Sequence, residues 1–244
     1  MHVRKTLEQI ITFRPAHLTL IDPAKQPADR AGEVAATADE LGTDGFLIGG
    51  SSGINQANLS ATVNAVKKVT EKPVIFFPGQ DKAYSLTFDA TLFISLLNSR
   101  NVRYVVGVHA ESAMLIKQLN IEVLPTGYLV IAPGMSVGEV GEANLIDRDD
   151  QWTACGYAAA AQLMGFKYLY LESGSGSPVS VPPEMVKAVK DTVEMPVIVG
   201  GGIRTAAVAR QLLEAGADIL VTGTVVERHE YKQRLSEILA VLQR

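Results

Sequence analysis

The 244-residue chain holds one cysteine, Cys155, so neither an intrachain disulfide nor a cysteine-based metal cluster is available to it. Nothing beside Cys155 is arranged to activate a thiolate, and it reads as a core filler. Basic residues are not in excess. Lys and Arg number 22 against 26 Asp and Glu, a formal charge of -4, which provides no global basic field for nucleic acid but leaves room for a local anion pocket. No run of 18 apolar residues exists to span a bilayer. The basic start Met1 to Lys5 leads through Glu8 and Gln9 to no small-residue cleavage site, so no signal peptide is expected and a cytoplasmic location is. The zinc-protease, nucleophile-elbow and Walker sequences are missing. Gly49-Gly50-Ser51-Ser52-Gly53 is not a dinucleotide fingerprint, and hydride chemistry has no support.

What is present is a repeated layout. Short apolar runs end in glycine or polar residues, and most lead into a helical pattern. The runs are 17–22, 45–50, 73–79, 104–108, 126–131, 168–172, 196–200 and 219–223. Their near-continuous hydrophobicity is that of parallel strands covered on both faces. Helical patterns occupy 27–41, 59–69, 152–164, 182–193 and 206–215, and a closing helix over 231–242 carries Leu235, Ile238, Leu239 and Leu242 on one stripe. Eight βα units in one domain over 1–244 predict an α/β fold, a (β/α)8 barrel of the triosephosphate isomerase type with irregular third and fifth crossovers. A doubly wound open sheet is the competing arrangement.

Such a barrel collects its functional groups at the C-terminal ends of the strands. Ser173-Gly174-Ser175-Gly176 opens from the sixth run, Gly201-Gly202 ends the seventh, and Gly223-Thr224 the eighth. Glycines let backbone N–H groups approach oxygens, and a helix start adds partial positive charge, so the three loops together predict a phosphate site. Asp22 ends the first run. It is either an Asx turn before Pro23 or, with the Ser51 hydroxyl, a foothold for Mg2+, a hard ion that bridges carboxylate and phosphate oxygens. Tyr170 and Glu172 share one side of their strand. They are candidates for binding a phosphorylated polyol, with Glu172 as base, or else a buried hydrogen-bonded pair. His109 fits either the mouth or a structural role, and His17 falls at the opposite end.

In order along the chain, 17–23, Gly49-Gly50-Ser51, Phe77-Pro78-Gly79, 170–176, 199–204 and Thr222-Gly223-Thr224 resemble the geranylgeranylglyceryl phosphate synthases and their bacterial relatives, the heptaprenylglyceryl phosphate synthases. The resemblance implies an enzyme joining the 3-hydroxyl of sn-glycerol 1-phosphate to a polyprenyl diphosphate, with release of diphosphate and with Mg2+ as cofactor. It implies that Asp22 and Ser51 bind the metal. Glycerol 1-phosphate would be bound by Tyr170, Leu171, Glu172, Ser173, Gly174, Ser175, Gly176, Gly201, Gly202, Gly223 and Thr224. Ser173 departs from the alanine common in relatives. Lys25 either neutralises diphosphate or is solvated on its loop.

The tail needs an apolar groove, for which Phe76, Tyr84, Phe88, Phe93, Tyr104 and Tyr128 are candidate walls. A C20 chain is expected, with C35 as the alternative. Peripheral membrane contact without a span and a homo-oligomer, dimer or hexamer, are also implied, and 141–157 packs either subunits or its own barrel. Two rival readings stay open: a phosphosugar isomerase or lyase, and a non-catalytic barrel that binds phosphometabolites.

Overall fold

A computed structural model describes residues 2–50, 52–79 and 87–242. Its centre is a closed barrel of eight parallel strands, each hydrogen-bonded to the next, with β8 closing on β1. The strands are β1 (Ala16–Ile21), β2 (Gly45–Gly49), β3 (Val74–Phe77), β4 (Ala90–Leu96), β5 (Glu122–Val130), β6 (Tyr168–Glu172), β7 (Val197–Gly200) and β8 (Ile219–Thr222). Almost every strand residue is buried, as expected when one face fills the barrel and the other meets helices.

The helices are α1 (Val3–Phe13), α2 (Ala28–Glu40), α3 (Gln56–Lys67), α4 (Val108–Gln118), α5 (Met135–Val140), α6 (Gln151–Leu163), α7 (Pro183–Thr192), α8 (Ala206–Glu214) and α9 (Tyr231–Leu242). Side chains that keep their amphipathic period build the outer shell, as where Met185, Val186 and Val189 of α7 are buried against the sheet. The expected closing helix is α9, which buries Leu235, Ile238, Leu239 and Leu242. Helix α1 belongs to the other core. Its Val3 and Leu7 pack with Ala16, Tyr168 and Ile219 across the N-terminal ends of the strands. Its first amides, on Val3 and Arg4, donate to the Glu122 carboxylate at 2.7 and 3.0 Å.

One strand lies elsewhere than expected. Residues 104–108 do not form the fourth strand. Arg103–Gly107 is a π-helical turn leading into α4, and β4 is Ala90–Leu96, paired with Val74–Phe77 on one side and Glu122–Val130 on the other. The fifth strand also starts earlier, at Glu122, and runs through Pro125. The fifth crossover is irregular as expected, with the short α5 and a β-bridge between Ile131 and Ile146 preceding α6. The third crossover carries no helix among its described residues, and 80–86 lie outside them.

Candidate active site

The C-terminal ends of the strands converge on Glu172, the last residue of β6, which is 7% exposed. Its Oε1 accepts the Gly174 N–H at 2.6 Å and its Oε2 accepts the Tyr128 hydroxyl at 3.2 Å. Register puts Tyr128 beside Tyr170 on the adjoining strands, their rings 4.9 Å apart, with Phe77 edge-on to both. The Tyr170 hydroxyl lies next to the same carboxylate but is not aligned for a hydrogen bond to it. Burial pushes the Glu172 carboxyl up to about 7, against the pull of the Gly174 N–H and the two phenols. That places it where a carboxylate exchanges protons near neutrality. Burial and the neighbouring carboxylate hold both tyrosines well above the usual phenol range, so they remain donors.

Beside Glu172 is a small cavity with Leu20, Ile203 and Val221 in its walls and Ser175, Arg204 and Thr224 among its polar lining, bounded by Gly201, Gly202 and Gly223. The three predicted phosphate loops do meet. The Gly176 N–H donates to Thr224 Oγ1 at 3.0 Å, and Arg204 Nη2 donates to the Gly176 carbonyl at 2.6 Å. Gly201 is in the left-handed region at φ +80°, and a Cβ there would strike the Glu172 carboxylate. The Ser173 hydroxyl is buried with no hydrogen-bond partner among the described residues; Leu171 faces the outer shell, in the core between sheet and helices.

On the other side of Glu172 a second cavity spreads across the mouth. It shares Leu20, Glu172 and Ser175 with the small cavity and adds Asp22, Lys25, Gly50, Phe77, Tyr128 and Glu227. Asp22 accepts the Ala24 N–H at 2.9 Å, so the Asx turn exists, yet the carboxylate also faces the cavity. Burial raises its carboxyl, and nearby Glu227 adds to the rise. Lys25 Nζ spans the group, 2.9 Å from Glu227 Oε1, 3.8 Å from Asp22 Oδ2 and 3.4 Å from Ser175 Oγ. Lys25 is thus tied to the mouth rather than freely solvated. Ser51 lies outside the described residues.

The residues present suit a magnesium ion. Three carboxylates, Asp22, Glu172 and Glu227, line one cavity, and Asp22 packs on the bare Cα of Gly50, where a Cβ would fall within 2.7 Å of its carboxyl atoms. Mg2+ needs only one or two carboxylates, its remaining positions going to water and phosphate oxygen. Among the described residues no group of three His, Cys, Asp or Glu side chains forms a closed cage, which is the arrangement this ion does not require.

A third, apolar cavity of about 450 Å3 continues from the mouth, sharing Pro78, Gly79, Ile94, Tyr104 and Val108 with it. Of the six predicted walls, Phe76, Phe88, Phe93 and Tyr104 line it. Tyr128 does not; its hydroxyl serves Glu172 at the mouth, and Tyr84 lies outside the described residues. His109 stands edge-on to Phe93 at 4.4 Å in this cavity wall, away from the mouth. His17 is at the far end, buried between Thr43 and Thr222 at 2.9 Å each. Cys155 packs against the outer shell. Sequence reasoning missed three contributors. Tyr128 was findable, since β-pairing of the two Tyr-Leu strands puts it beside Tyr170. Arg204 had a signal in its place directly after Gly201-Gly202-Ile203. Glu227 had none.

Fold and site together define a (β/α)8 barrel with a small glycine-lined cavity and a longer apolar one meeting at its mouth. The sequence comparisons agree. The PcrB family model matches residues 8–242. The geranylgeranylglyceryl phosphate synthase of Picrophilus torridus is 48% identical over 98% of this chain and 99% of its own. That of Pyrococcus abyssi is 42% identical over 95% and 93%. The crystal structure of the (S)-3-O-geranylgeranylglyceryl phosphate synthase of Thermoplasma acidophilum, in complex with sn-glycerol-1-phosphate, superposes with a TM-score of 0.97 at 42% identity, covering 99% of this chain and 98% of that one. The chain belongs to the PcrB family, with the geranylgeranylglyceryl phosphate synthases, and is a prenyltransferase.

Proposed function

We propose that the protein joins the 3-hydroxyl of sn-glycerol 1-phosphate to geranylgeranyl diphosphate, giving geranylgeranylglyceryl phosphate and diphosphate, with Mg2+ as cofactor. The observation that carries this reading is the position of Glu172 at the junction of the small glycine-lined cavity and a mouth that opens into an apolar groove. A phosphosugar isomerase has no use for that groove, and a mere binding protein has no use for a carboxyl tuned to about 7.

The glycine loops after β6, β7 and β8 fix the phosphate of the acceptor, which leaves its free hydroxyls toward Tyr170 and Glu172. Asp22, Glu227 and Lys25 surround the diphosphate end of the donor, and its tail runs past Tyr104 along the walls Phe76, Phe88 and Phe93. Asp22 and Ser51 would hold the Mg2+, which would supply positive charge to the leaving diphosphate. The allylic C1–O bond breaks, its electron pair leaving on diphosphate, as the glycerol oxygen forms the new C–O bond. The hydroxyl proton passes to Glu172. The phosphate clamp and the groove hold the reacting atoms together, so much of the catalysis is positioning. Tyr128 and Gly174 hold the carboxylate in place through the transfer.

The lipid tail implies peripheral contact with membranes; no helix among the described residues is long and apolar enough to cross one. Trp152, within the predicted packing segment 141–157, is 88% exposed at the start of α6, and Leu163 and Met164 are exposed at its other end, which supports a homo-oligomer, and a cytoplasmic location completes the reading.

The test is mass spectrometry of products formed with Mg2+, sn-glycerol 1-phosphate and, separately, the C15, C20 and C35 diphosphates. An ether product made fastest from C20 is expected; a C35 preference would replace the donor. Asp22→Ala should lower turnover roughly 10²-fold while acceptor binding stays within about twofold. No product from any donor, with folded protein, would return the phosphosugar barrel as the working reading.

A further inference from the structure

We infer that Arg204 is the positioning residue that sets the acceptor's phosphate loop, an assignment that rests on reading the small cavity as the glycerol phosphate pocket. Arg204 sits between Gly202 and Thr205, the side-chain cap of α8, and lines that cavity with Gly201, Gly202 and Thr224. Its guanidinium reaches across to a different loop, where Nη2 donates to the Gly176 carbonyl at 2.6 Å. The N–H of the same glycine is taken by Thr224 Oγ1 at 3.0 Å. Gly176 is therefore gripped on both sides of one residue, its carbonyl from the loop after β7 and its amide from the loop after β8.

That grip acts at the tip of a turn whose base is already closed, the Ser177 N–H donating to the Gly174 carbonyl at 3.1 Å. Gly176 is in the left-handed region at φ +77°, and a Cβ placed on it would meet nothing within 4 Å. A glycine without packed surroundings is free to sample many backbone conformations. The amides that must converge on a phosphate would then lose that freedom, at an entropic cost, in each binding event. A guanidinium is well matched to this role. Its donors lie in a rigid planar fork, it never loses its charge, and it places a fixed positive charge beside a dianion.

In the resting fold the Arg204 Nε is buried with no hydrogen-bond partner among the described residues, a cost that offsets part of the charge-assisted Nη2 bond to the Gly176 carbonyl. The Gly176 contact couples two loops into one anion cradle before ligand arrives.

The experiment is calorimetric titration of sn-glycerol 1-phosphate, and of inorganic phosphate, into wild type, Arg204→Met and Arg204→Lys, with steady-state kinetics and melting curves alongside. Arg204→Met should weaken binding of both anions and raise KM for glycerol phosphate at least tenfold. Its KM for the prenyl diphosphate should stay within about twofold and its melting temperature should not fall. Arg204→Lys, which keeps the charge and one reachable donor, should recover part of the loss. Equal anion binding by wild type and Arg204→Met would overturn the role of the arginine alone, as would a rise in both KM values with a lowered melting temperature. Wild type binding neither anion would overturn the pocket reading and this inference with it.

Discussion

At the N-terminal end of the barrel, His17 is buried with Thr43 on one ring nitrogen and Thr222 on the other, and Thr19 adds its hydroxyl to Thr43. Helix α1 covers that end and Glu122 caps it. At the mouth, the Tyr170 and Ser173 hydroxyls are buried but unpaired among the described residues, and Glu172 sits in surroundings that resist its charge. The His17 cluster thus satisfies its polar groups up to Thr222, which lines the glycine-loop cavity, while Tyr170 and Ser173 at the mouth stay unpaired. The Tyr168 hydroxyl, buried and unpaired at the closed end, is the exception. Polar burial by itself does not mark a site; polar burial left unsatisfied beside a cavity does.

The sharpest break in that comparison is Glu172→Gln. It keeps the shape, removes the proton acceptor, and should lower kcat about 10²- to 10⁴-fold, measured at saturating acceptor and donor. Next is His17→Ala, which leaves two threonine hydroxyls without their partner and opens a small void. It should cost on the order of 2–4 kcal/mol in denaturant unfolding, while kcat of the folded enzyme stays within about twofold.

The two ends also predict opposite pH slopes. The Glu172 carboxyl is raised from 4.5 to about 7, so the unfolded chain ionises first and stability is lost as pH rises through that window. His17 is lowered from 6.5 to about 4 by burial, so the unfolded chain is protonated first and stability is lost as pH falls from about 6.5 to about 4. Melting curves should accordingly show Glu172→Gln gaining on wild type between pH 5 and pH 8, and His17→Ala flattening the acid limb. A gain for Glu172→Gln that is flat with pH would mean the carboxyl titrates normally.

The barrel was legible in the sequence because its strands carry almost uninterrupted apolar runs and its helices keep their period. The expected fourth strand fails for a physical reason. Tyr104-Val105-Val106-Gly107-Val108 is β-branched and apolar, and over five residues such a run is indistinguishable from a buried helical turn. In place it forms a π-helical turn that lines the groove with Tyr104. The site was legible where backbone dominates the recognition, since glycines at strand ends announce themselves. Asp22 and Glu172 follow from the fold argument alone. Tyr128 reads as a groove wall because sequence does not tell which end of a tyrosine matters. Glu227 and the reach of Arg204 to Gly176 depend on loop paths that no local pattern encodes.

Two glycines carry a consequence for how such a protein can change over time. A Cβ on Gly49 would collide with the Phe77 carbonyl across the β2–β3 pair, and one on Gly200 would collide with the Tyr170 hydroxyl. Every single-base change in a glycine codon that alters the residue adds at least a side-chain carbon or stops translation, so both points of the mouth are closed to stepwise drift. Phe76, Phe88 and Phe93 instead border a cavity with part of their surface, which leaves room for a change of bulk there. Substitution in this scaffold is therefore sterically closed at these two backbone points of the mouth and more open along the apolar cavity.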